Sequence, residues 1–133
     1  MSMIQGIKQI GVPVKDLDRA IEFYREQLGH PLLFTTAHMA FFDCNGVRLL
    51  LTLPENEKYT HCSVIYFDVE DIQSSYEKMK DNGVHFVGEP HVVGKMDDME
   101  SWMVFFEDTE GNTHTLVSEV SKKETNEAGT KMF

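Results

Sequence analysis

Apolar residues recur along the chain in a strand-like spacing followed by a helix-like spacing. Near the N-terminus, Val12 and Val14 occupy alternate positions, as expected for a short strand with one buried face. Asp16 is then a helix N-cap, because its carboxylate can accept a hydrogen bond from a free amide of the first turn. Gly29 and Pro31 end the helix, since glycine favours a left-handed C-cap and proline cannot continue the helix. The apolar stripe of this helix consists of Leu17, Ala20, Ile21, Tyr24 and Leu28.

The same strand, helix and stop return in the second half. Ile65, Phe67 and Val69 share one face of a strand, and Asp71 follows as the N-cap of a helix that ends at Gly83. Two further segments also resemble each other, because residues 41–51 and 105–117 both place two phenylalanines before a glycine turn and another strand. This internal duplication predicts two copies of one supersecondary unit.

The predicted elements give each half the order βαβββ. In the first half we predict strands over 7–14, 32–36, 39–44 and 47–53 and a helix over 17–28. In the second half we predict strands over 62–69, 85–87, 102–107 and 113–118 and a helix over 72–82. A polar connector (54–60) joins the halves, and 88–101 are predicted to form a long mobile loop. The fold class is α+β, with modules at about 4–54 and 61–119 in one domain (1–120) and a disordered tail at 121–133.

Strand parity separates two faces in each predicted sheet. Leu49 and Leu51 belong to a uniformly apolar face, which should pack on the helix, whereas Arg48 and Leu50 belong to a mixed face. In the second half, Phe67 belongs to the apolar face. We expect the two mixed sheets to curl so that their mixed faces enclose one shared cleft.

Composition and charge restrict the partners. The 133 residues include 22 acidic and 12 basic side chains, for a net charge of −10. This field disfavours nucleic acid and anionic membranes and attracts a cationic ligand, although acidity that only serves solubility is an alternative interpretation. No apolar run is long enough to span a membrane, and residues 1–10 lack the pattern of an export signal. We therefore expect a cytoplasmic protein in which Cys44 and Cys62 are reduced.

The duplicated βαβββ pattern resembles the vicinal oxygen chelate superfamily. The motifs that carry the resemblance are VKDL at 14–17 and VEDI at 69–72, FYREQLG at 23–29 and FFEDTEGN at 105–112. This group includes glyoxalases, extradiol dioxygenases, methylmalonyl-CoA epimerases, fosfomycin-resistance transferases and bleomycin-resistance binding proteins. The resemblance implies a glyoxalase-like fold and a homodimer. It says little about function, which depends on a few side chains in the cleft.

The resemblance also implies where a divalent metal ion would be held. The enzymes of the family use a His or Gln, a Glu, a His and a Glu on four strands. The corresponding residues here are Gln9, Leu50, Val64 and Thr115. Because Leu50 and Val64 carry no donor atom, we expect no metal cofactor at the usual site.

An atypical metal site is the alternative. A one-residue bulge would turn His114 into the cleft, where it could join Gln9 and Asp68 in holding Zn, Ni, Fe or Mn. Such an ion would polarise vicinal oxygens of a substrate, as in glyoxalase- or epimerase-type lyases and isomerases.

The residues predicted to bind a ligand lie on the mixed faces or beside segment 88–101. Arg48 can grip an anionic group, or it can pair with a carboxylate such as Asp43 or Asp68. Trp102 offers an adaptable apolar surface, or it packs on the sheet edge as part of a short helical turn. The predicted set is Gln9, Arg48, Leu50, Val64, Tyr66, Trp102, Met103 and Thr115. The catalytic residues stay unknown, because no Ser, Cys or His arrangement indicates a nucleophile.

Three functions remain open. The first, which we prefer, is a metal-free small-molecule-binding protein similar to the bleomycin-resistance type, with an apolar or cationic organic ligand. The second is the metal-dependent lyase or isomerase, and the third is a domain that serves assembly alone. The apolar side chains of Leu50 and Val64, at positions where the resemblance places metal ligands, favour the first.

Overall fold

The computed structural model describes residues 3–121, except the side chain of Met96. It contains two compact units that divide between Cys62 and Ser63. Each unit holds one four-stranded sheet and follows the order βαβββ. The predicted fold class and the internal duplication are therefore confirmed, whereas the shared cleft between curled sheets stays a prediction. Among the described residues, no helix is both long and apolar enough to cross a membrane.

The first unit is a mixed sheet with strand order β1-β4-β3-β2, in which β1 runs parallel to β4 and the other neighbours are antiparallel. Its elements are β1 (Gln9–Pro13), α1 (Leu17–Glu22), a π-helical turn (Phe23–Gln27), β2 (Leu32–Thr35), β3 (Met39–Cys44) and β4 (Val47–Thr52). The predicted N-cap is confirmed, since Asp16 Oδ1 accepts a hydrogen bond from the Arg19 amide at 3.1 Å. The predicted connector contains one 3₁₀ turn (Glu57–Tyr59).

The second unit repeats this topology with strand order β5-β8-β7-β6. Its elements are β5 (Ile65–Asp68), α2 (Ile72–Asp81), β6 (His85–Met96), β7 (Met99–Glu107) and β8 (Thr113–Ser121). Asp71 caps α2 by accepting a hydrogen bond from the Ser74 amide at 3.1 Å. Strand β8 includes Ser121, and the rest of the predicted tail lies outside the described residues.

Segment 88–101 corrects the sequence prediction. It forms the outer part of an antiparallel hairpin rather than a mobile loop, with β6 and β7 paired as far as Met96 and Met99. The glycines and the proline that indicated a loop lie in an edge strand whose register shifts between Val87 and His91 and again between Val92 and Gly94. Such shifts accommodate residues that regular strands exclude. The helical turn proposed around Trp102 is also wrong.

The two faces predicted for the first sheet are confirmed. Leu49 and Leu51 are fully buried, whereas Leu50 is half-buried. The Tyr24 ring packs on Phe42 at 6.1 Å between ring centroids, and Phe42 pairs with Leu49 across the strands. The helical segment therefore covers the Leu49 side of the sheet, and the Leu50 side points away from it.

Candidate ligand-binding site

The side of the first sheet that points away from α1 carries most of the chemistry predicted for this unit, and we call it the first open face. The strand registers arrange its side chains in three rows across β1, β4 and β3. The rows are Gln9, Arg48 and Asp43, then Gly11, Leu50 and Phe41, and finally Pro13, Thr52 and Met39. The sheet thus brings the predicted residues Gln9, Arg48 and Leu50 together.

The middle row is apolar. Phe41 stacks on Phe34 of the edge strand β2, with ring centroids 4.3 Å apart and an interplanar angle of 19°. Leu50 lies beside Phe41, and on its other side Gly11 offers no side chain at all. A Cβ placed on Gly11 would meet no atom within 4 Å, so space lies open above this position. The row is a short apolar floor with a gap at one end.

Arg48 is the positively charged residue of the first row. Its guanidinium carbon lies 5.9 Å from the centroid of the Phe41 ring, within cation–π range. Its Nε atom is buried and has no hydrogen-bond partner within residues 3–121. Asp43, which the sequence offered as an ion-pair partner, lies directly across from Arg48 on β3. A buried donor without a partner is uncommon in folded proteins and calls for a physical explanation.

A cavity of about 980 Å³ adjoins the third row. Its floor includes Gly11, Pro13 and Met39, and the connector after β4 supplies much of its wall. Within that connector, Lys58 Nζ lies 5.5 Å from the centroid of the Tyr59 ring, within cation–π range. The lining residues are Gly11, Pro13, Thr36, Ala37, His38, Met39, Thr52, Leu53, Pro54, Glu55, Asn56, Lys58, Tyr59 and His61.

Sequence reasoning missed this cavity. It treated 54–60 as a polar connector. Nothing in the local sequence indicates that the β2–β3 turn and the connector meet at one end of the sheet, because that contact depends on strand order. An exposed tyrosine in an otherwise polar connector, Tyr59, was the available signal.

The second unit has a corresponding open face, on the side of its sheet away from α2. Thr115 lies between Tyr66 on β5 and Phe105 on β7, and Val117 lies between Asp68 and Met103. Thr115 is fully buried, and its hydroxyl has no hydrogen-bond partner in the described part of the chain. Tyr66 is 54% exposed, so its ring is available to a ligand.

The other predicted residues of this unit do not all lie on that face. Val64 precedes β5 and is 41% exposed. Trp102 pairs with Ser118 and therefore lies on the opposite face of β7 from its neighbour Met103. The two residues do not contribute to one surface as the sequence suggested, because their strand is regular at this point.

His114 corrects the alternative metal site. The β7–β8 register runs without a shift from Met99 and Ser121 to Glu107 and Thr113, so the bulge required by that site is absent. His114 is fully buried on the helix side, edge-on to Phe67 at 5.4 Å. Its Nε2 lies 3.9 Å from a carboxylate oxygen of Asp108. His114 and Asp68 therefore lie on opposite faces of the sheet and cannot hold one ion together.

The donor atoms do not fit the metal ion that the family resemblance implies. Of the four corresponding residues, Leu50 and Val64 have aliphatic side chains, and Thr115 and Gln9 offer only neutral oxygens. A divalent cation requires several anionic or imidazole donors around it. Within residues 3–121, no group of three or more His, Cys, Asp or Glu side chains is placed to hold an ion.

Two titrating groups near Asp43 have shifted pKa values. Burial raises the pKa of the Cys44 thiol, and the charge of Asp43 raises it further. The thiolate is the nucleophilic form, so Cys44 is a poor nucleophile at neutral pH. Burial also lowers the pKa of His30 below its ordinary 6.5, and Asp43 partly opposes this effect.

Comparisons of sequence find relatives along most of the chain. A family described as "Glyoxalase/Bleomycin resistance protein/Dioxygenase superfamily" matches residues 6–116. The uncharacterized protein YetH of Bacillus subtilis (strain 168) is 32% identical over 126 residues, which cover 86% of this chain and 98% of YetH. The metallothiol transferase FosB of Staphylococcus haemolyticus (strain JCSC1435) is 33% identical over 92 residues, which cover 64% of this chain and 66% of FosB.

A comparison of structures gives the same fold. TnmS3, an antibiotic binding protein from Streptomyces sp. CB03234, superposes with a TM-score of 0.71 over 90% of this chain and 100% of that chain. Its sequence is 20% identical to the present one, so this likeness concerns the fold alone.

Proposed function

The chain belongs to the glyoxalase/bleomycin resistance protein/dioxygenase superfamily, and we propose that it is a small-molecule-binding protein that works without a bound metal ion. Its ligand is an organic molecule with a substantial apolar part. The observation that carries the proposal is the apolar middle row of the first open face, which includes Leu50 at a position where the family resemblance implies a metal-binding glutamate. TnmS3, which shares this fold, is an antibiotic binding protein, so the fold is compatible with small-molecule binding.

The geometry of the first open face suits such a ligand. Small-molecule sites are concave and mostly apolar, with a few polar groups that fix orientation. Here the stacked pair Phe34 and Phe41 and the side chain of Leu50 provide apolar surface. The adjoining cavity of about 980 Å³ is large enough for a drug-sized molecule.

A metal-dependent transfer reaction is the second candidate, since FosB is a metallothiol transferase and is 33% identical over 92 residues. Against it stands the donor set, in which Leu50 and Val64 supply no ligand. We rank this candidate, and the glyoxalase- or epimerase-type reactions, below metal-free binding.

The remaining properties are proposed on the sequence alone. We propose a homodimer in the cytoplasm whose residues 1–120 form a single domain, with no nucleic-acid or membrane partner. Light scattering behind size-exclusion chromatography tests the dimer, because a mass near twice 15.3 kDa is expected.

The binding proposal is tested with phenylnaphthylamine, an uncharged aromatic probe whose fluorescence rises in apolar surroundings. We expect saturable binding to the native chain and at least tenfold weaker binding to Leu50→Glu, because a carboxylate would interrupt the apolar row. Leu33→Glu is the matched control. Leu33 is 49% exposed on the edge strand β2, at the register shift between Leu32 and Phe34 and outside the three rows of the first open face, so this change should leave binding intact.

Metal analysis tests the proposal that the protein works without a bound metal ion. Protein purified without chelator is expected to contain well below one equivalent of Zn, Ni, Fe or Mn. Near-stoichiometric metal would overturn the metal-free proposal and favour an enzyme, even if the probe also binds.

A further inference from the structure

Arg48 gives the first open face a charged end beside its apolar floor. Its Nε is buried without a hydrogen-bond partner in the described chain, while its guanidinium carbon lies 5.9 Å from the Phe41 ring centroid. The guanidinium thus lies within cation–π range of the aromatic floor, and its other N–H groups can donate to an acceptor above the sheet. A carboxylate, phosphate or sulfonate is the acceptor that matches its fork of donors.

The spacing along β4 sets the shape of a ligand that uses this donor. Leu50 lies two residues beyond Arg48 on the same face, or about 7 Å, and Thr52 lies four residues beyond, or about 13 Å. Thr52 lines the cavity, and Gly11 beside Leu50 leaves open space on the way. A molecule that spans these rows would carry its charge at one end and its apolar body along the middle row.

The charged side chains near Arg48, Leu50 and Thr52 decide whether an anionic or a cationic ligand is favoured. Asp43 is the acidic neighbour of Arg48 in the first row, and Glu55 lines the cavity, where Lys58 and two histidines also lie. The net charge of −10 repels an anion at long range, but salt screens that field over about 10 Å. An anion at hydrogen-bonding distance from the guanidinium is attracted more strongly than the distant, screened carboxylates repel it, and Asp43, directly across on β3, is the near carboxylate with which it competes.

We propose that the ligand of the first open face is an organic anion whose charged group docks on Arg48 and whose apolar body lies along Phe41 and Leu50 towards the cavity. This inference rests on the proposed small-molecule-binding function and adds the chemical class of the ligand. An anionic ligand thus replaces the cationic ligand that the net charge predicted, because the group available for binding here, the Arg48 guanidinium, is itself positively charged.

Two related probes test the inference. Anilinonaphthalene sulfonate is an anionic relative of the uncharged phenylnaphthylamine, and the fluorescence of both rises in apolar sites. We expect the native chain to bind both. Arg48→Gln should weaken binding of the sulfonate probe by at least about tenfold, as for loss of a charge-assisted hydrogen bond, and should leave the uncharged probe within about twofold.

Lys78→Gln is the matched control, since it removes one positive charge from the exposed surface of α2 in the other unit. It should change neither affinity. Arg48→Lys keeps the charge but loses the fork of donors, and it should bind the sulfonate with intermediate affinity. Cooperative thermal unfolding of each variant shows that it is folded before its binding is compared.

The outcomes separate the inference from the proposed function. If both probes bind and Arg48→Gln affects neither, or affects them equally, the anion inference fails while small-molecule binding stands. If Lys78→Gln weakens the sulfonate probe as much as Arg48→Gln, the effect is one of general charge and the inference again fails. If neither probe binds the native chain, the proposed function fails, and the inference fails with it.

Discussion

The two units place different side chains on the same strand framework. Phe42 in the first unit and Phe106 in the second are both fully buried at equivalent points of their sheets. Each pairs with a fully buried residue on the next strand, which is Leu49 in one unit and His114 in the other. The framework therefore accepts an imidazole in one copy where the other copy has an aliphatic side chain.

The open faces differ more than the helix-facing sides. The first carries Leu50 between a glycine and a phenylalanine, and the second carries Thr115 between a tyrosine and a phenylalanine. A position that packs on a helix must fill a fixed volume. On the open faces, Leu50 is half-buried, whereas Thr115 is fully buried. The two units thus share a strand framework and differ most in the side chains of their open faces.

The largest expected effect tests whether the two cores are equivalent. Phe42→Ala and Phe106→Ala should each lower the free energy of unfolding by about 3–5 kcal/mol, because both remove a fully buried ring and leave a cavity. Urea denaturation followed by circular dichroism measures both. A loss below about 1 kcal/mol in one variant alone would show that the two units do not share a common packing scheme.

Leu49 and His114 are the cross-strand partners of these two phenylalanines, and substitutions that exchange them test the difference between the cores. Leu49→His should cost about 3 kcal/mol, since it buries an imidazole among apolar neighbours without a carboxylate beside it. His114→Leu should cost less than Leu49→His, because Phe67 and Phe106 still pack on the new side chain, although Asp108 loses its neighbouring imidazole. Urea midpoints of the two variants measure the asymmetry, and equal losses would contradict it.

The turns before β4 and β8 offer a smaller test. The first turn uses Asn45 and Gly46 with positive φ angles of 50° and 98°. The second is held by Asp108, which accepts hydrogen bonds from the Glu110 and Asn112 amides, both at 2.8 Å. Asp108→Ala should therefore cost about 2 kcal/mol.

The matched control for this turn is Asp43→Ala, since Asp43 precedes a turn that Asn45 and Gly46 make on their own. Its effect on the free energy of unfolding, measured by urea denaturation, should stay within about 0.5 kcal/mol. Equal losses for the two alanine variants would mean that the second turn does not depend on its aspartate.

The smallest effect concerns pH. His30 follows Gly29 at the end of the first helical segment and stacks on Tyr24. The corresponding residue of the second unit, which follows Gly83, is Val84. Because burial lowers the pKa of His30 below 6.5, the unfolded chain binds a proton more readily than the folded one as pH falls below that value. His30 therefore makes its full contribution to the free energy of unfolding above pH 6.5. This contribution is lost as the pH falls from 6.5 through the pKa of His30 in the folded state.

His30→Val should flatten this dependence. The measurement is the difference in Tm between pH values above and below 6.5, compared between the native chain and the variant. An unchanged difference would assign the acid sensitivity to other groups.

Local signals predicted the scaffold well. Asp16 and Asp71 act as N-caps as expected, because capping depends only on the next three residues. The alternation of Leu49, Leu50 and Leu51 also placed each side chain on the correct face, since a regular strand has a period of two. The duplicated fold could therefore be read from the sequence.

Features that depend on distant strands could not be predicted in the same way. Gly88, Pro90 and Gly94 indicate a loop by every local rule, but pairing with β7 makes their segment an edge strand. His114 and Thr115 are neighbours, and only the observed register decides which of them faces away from the helix. The cavity beside β4 likewise depends on which segments the strand order brings together.

Gly11 leaves a gap beside Leu50 in the middle row of the first open face. Gly11 pairs with Leu50, just as Tyr66 pairs with Thr115 in the other unit, so one copy has a bare backbone where the other has a phenol ring. A Cβ at this point would meet no protein atom within 4 Å, so it would enter the open space above the sheet. Under the proposed binding function, a substitution at Gly11 would narrow the range of ligands while leaving the buried core residues unchanged.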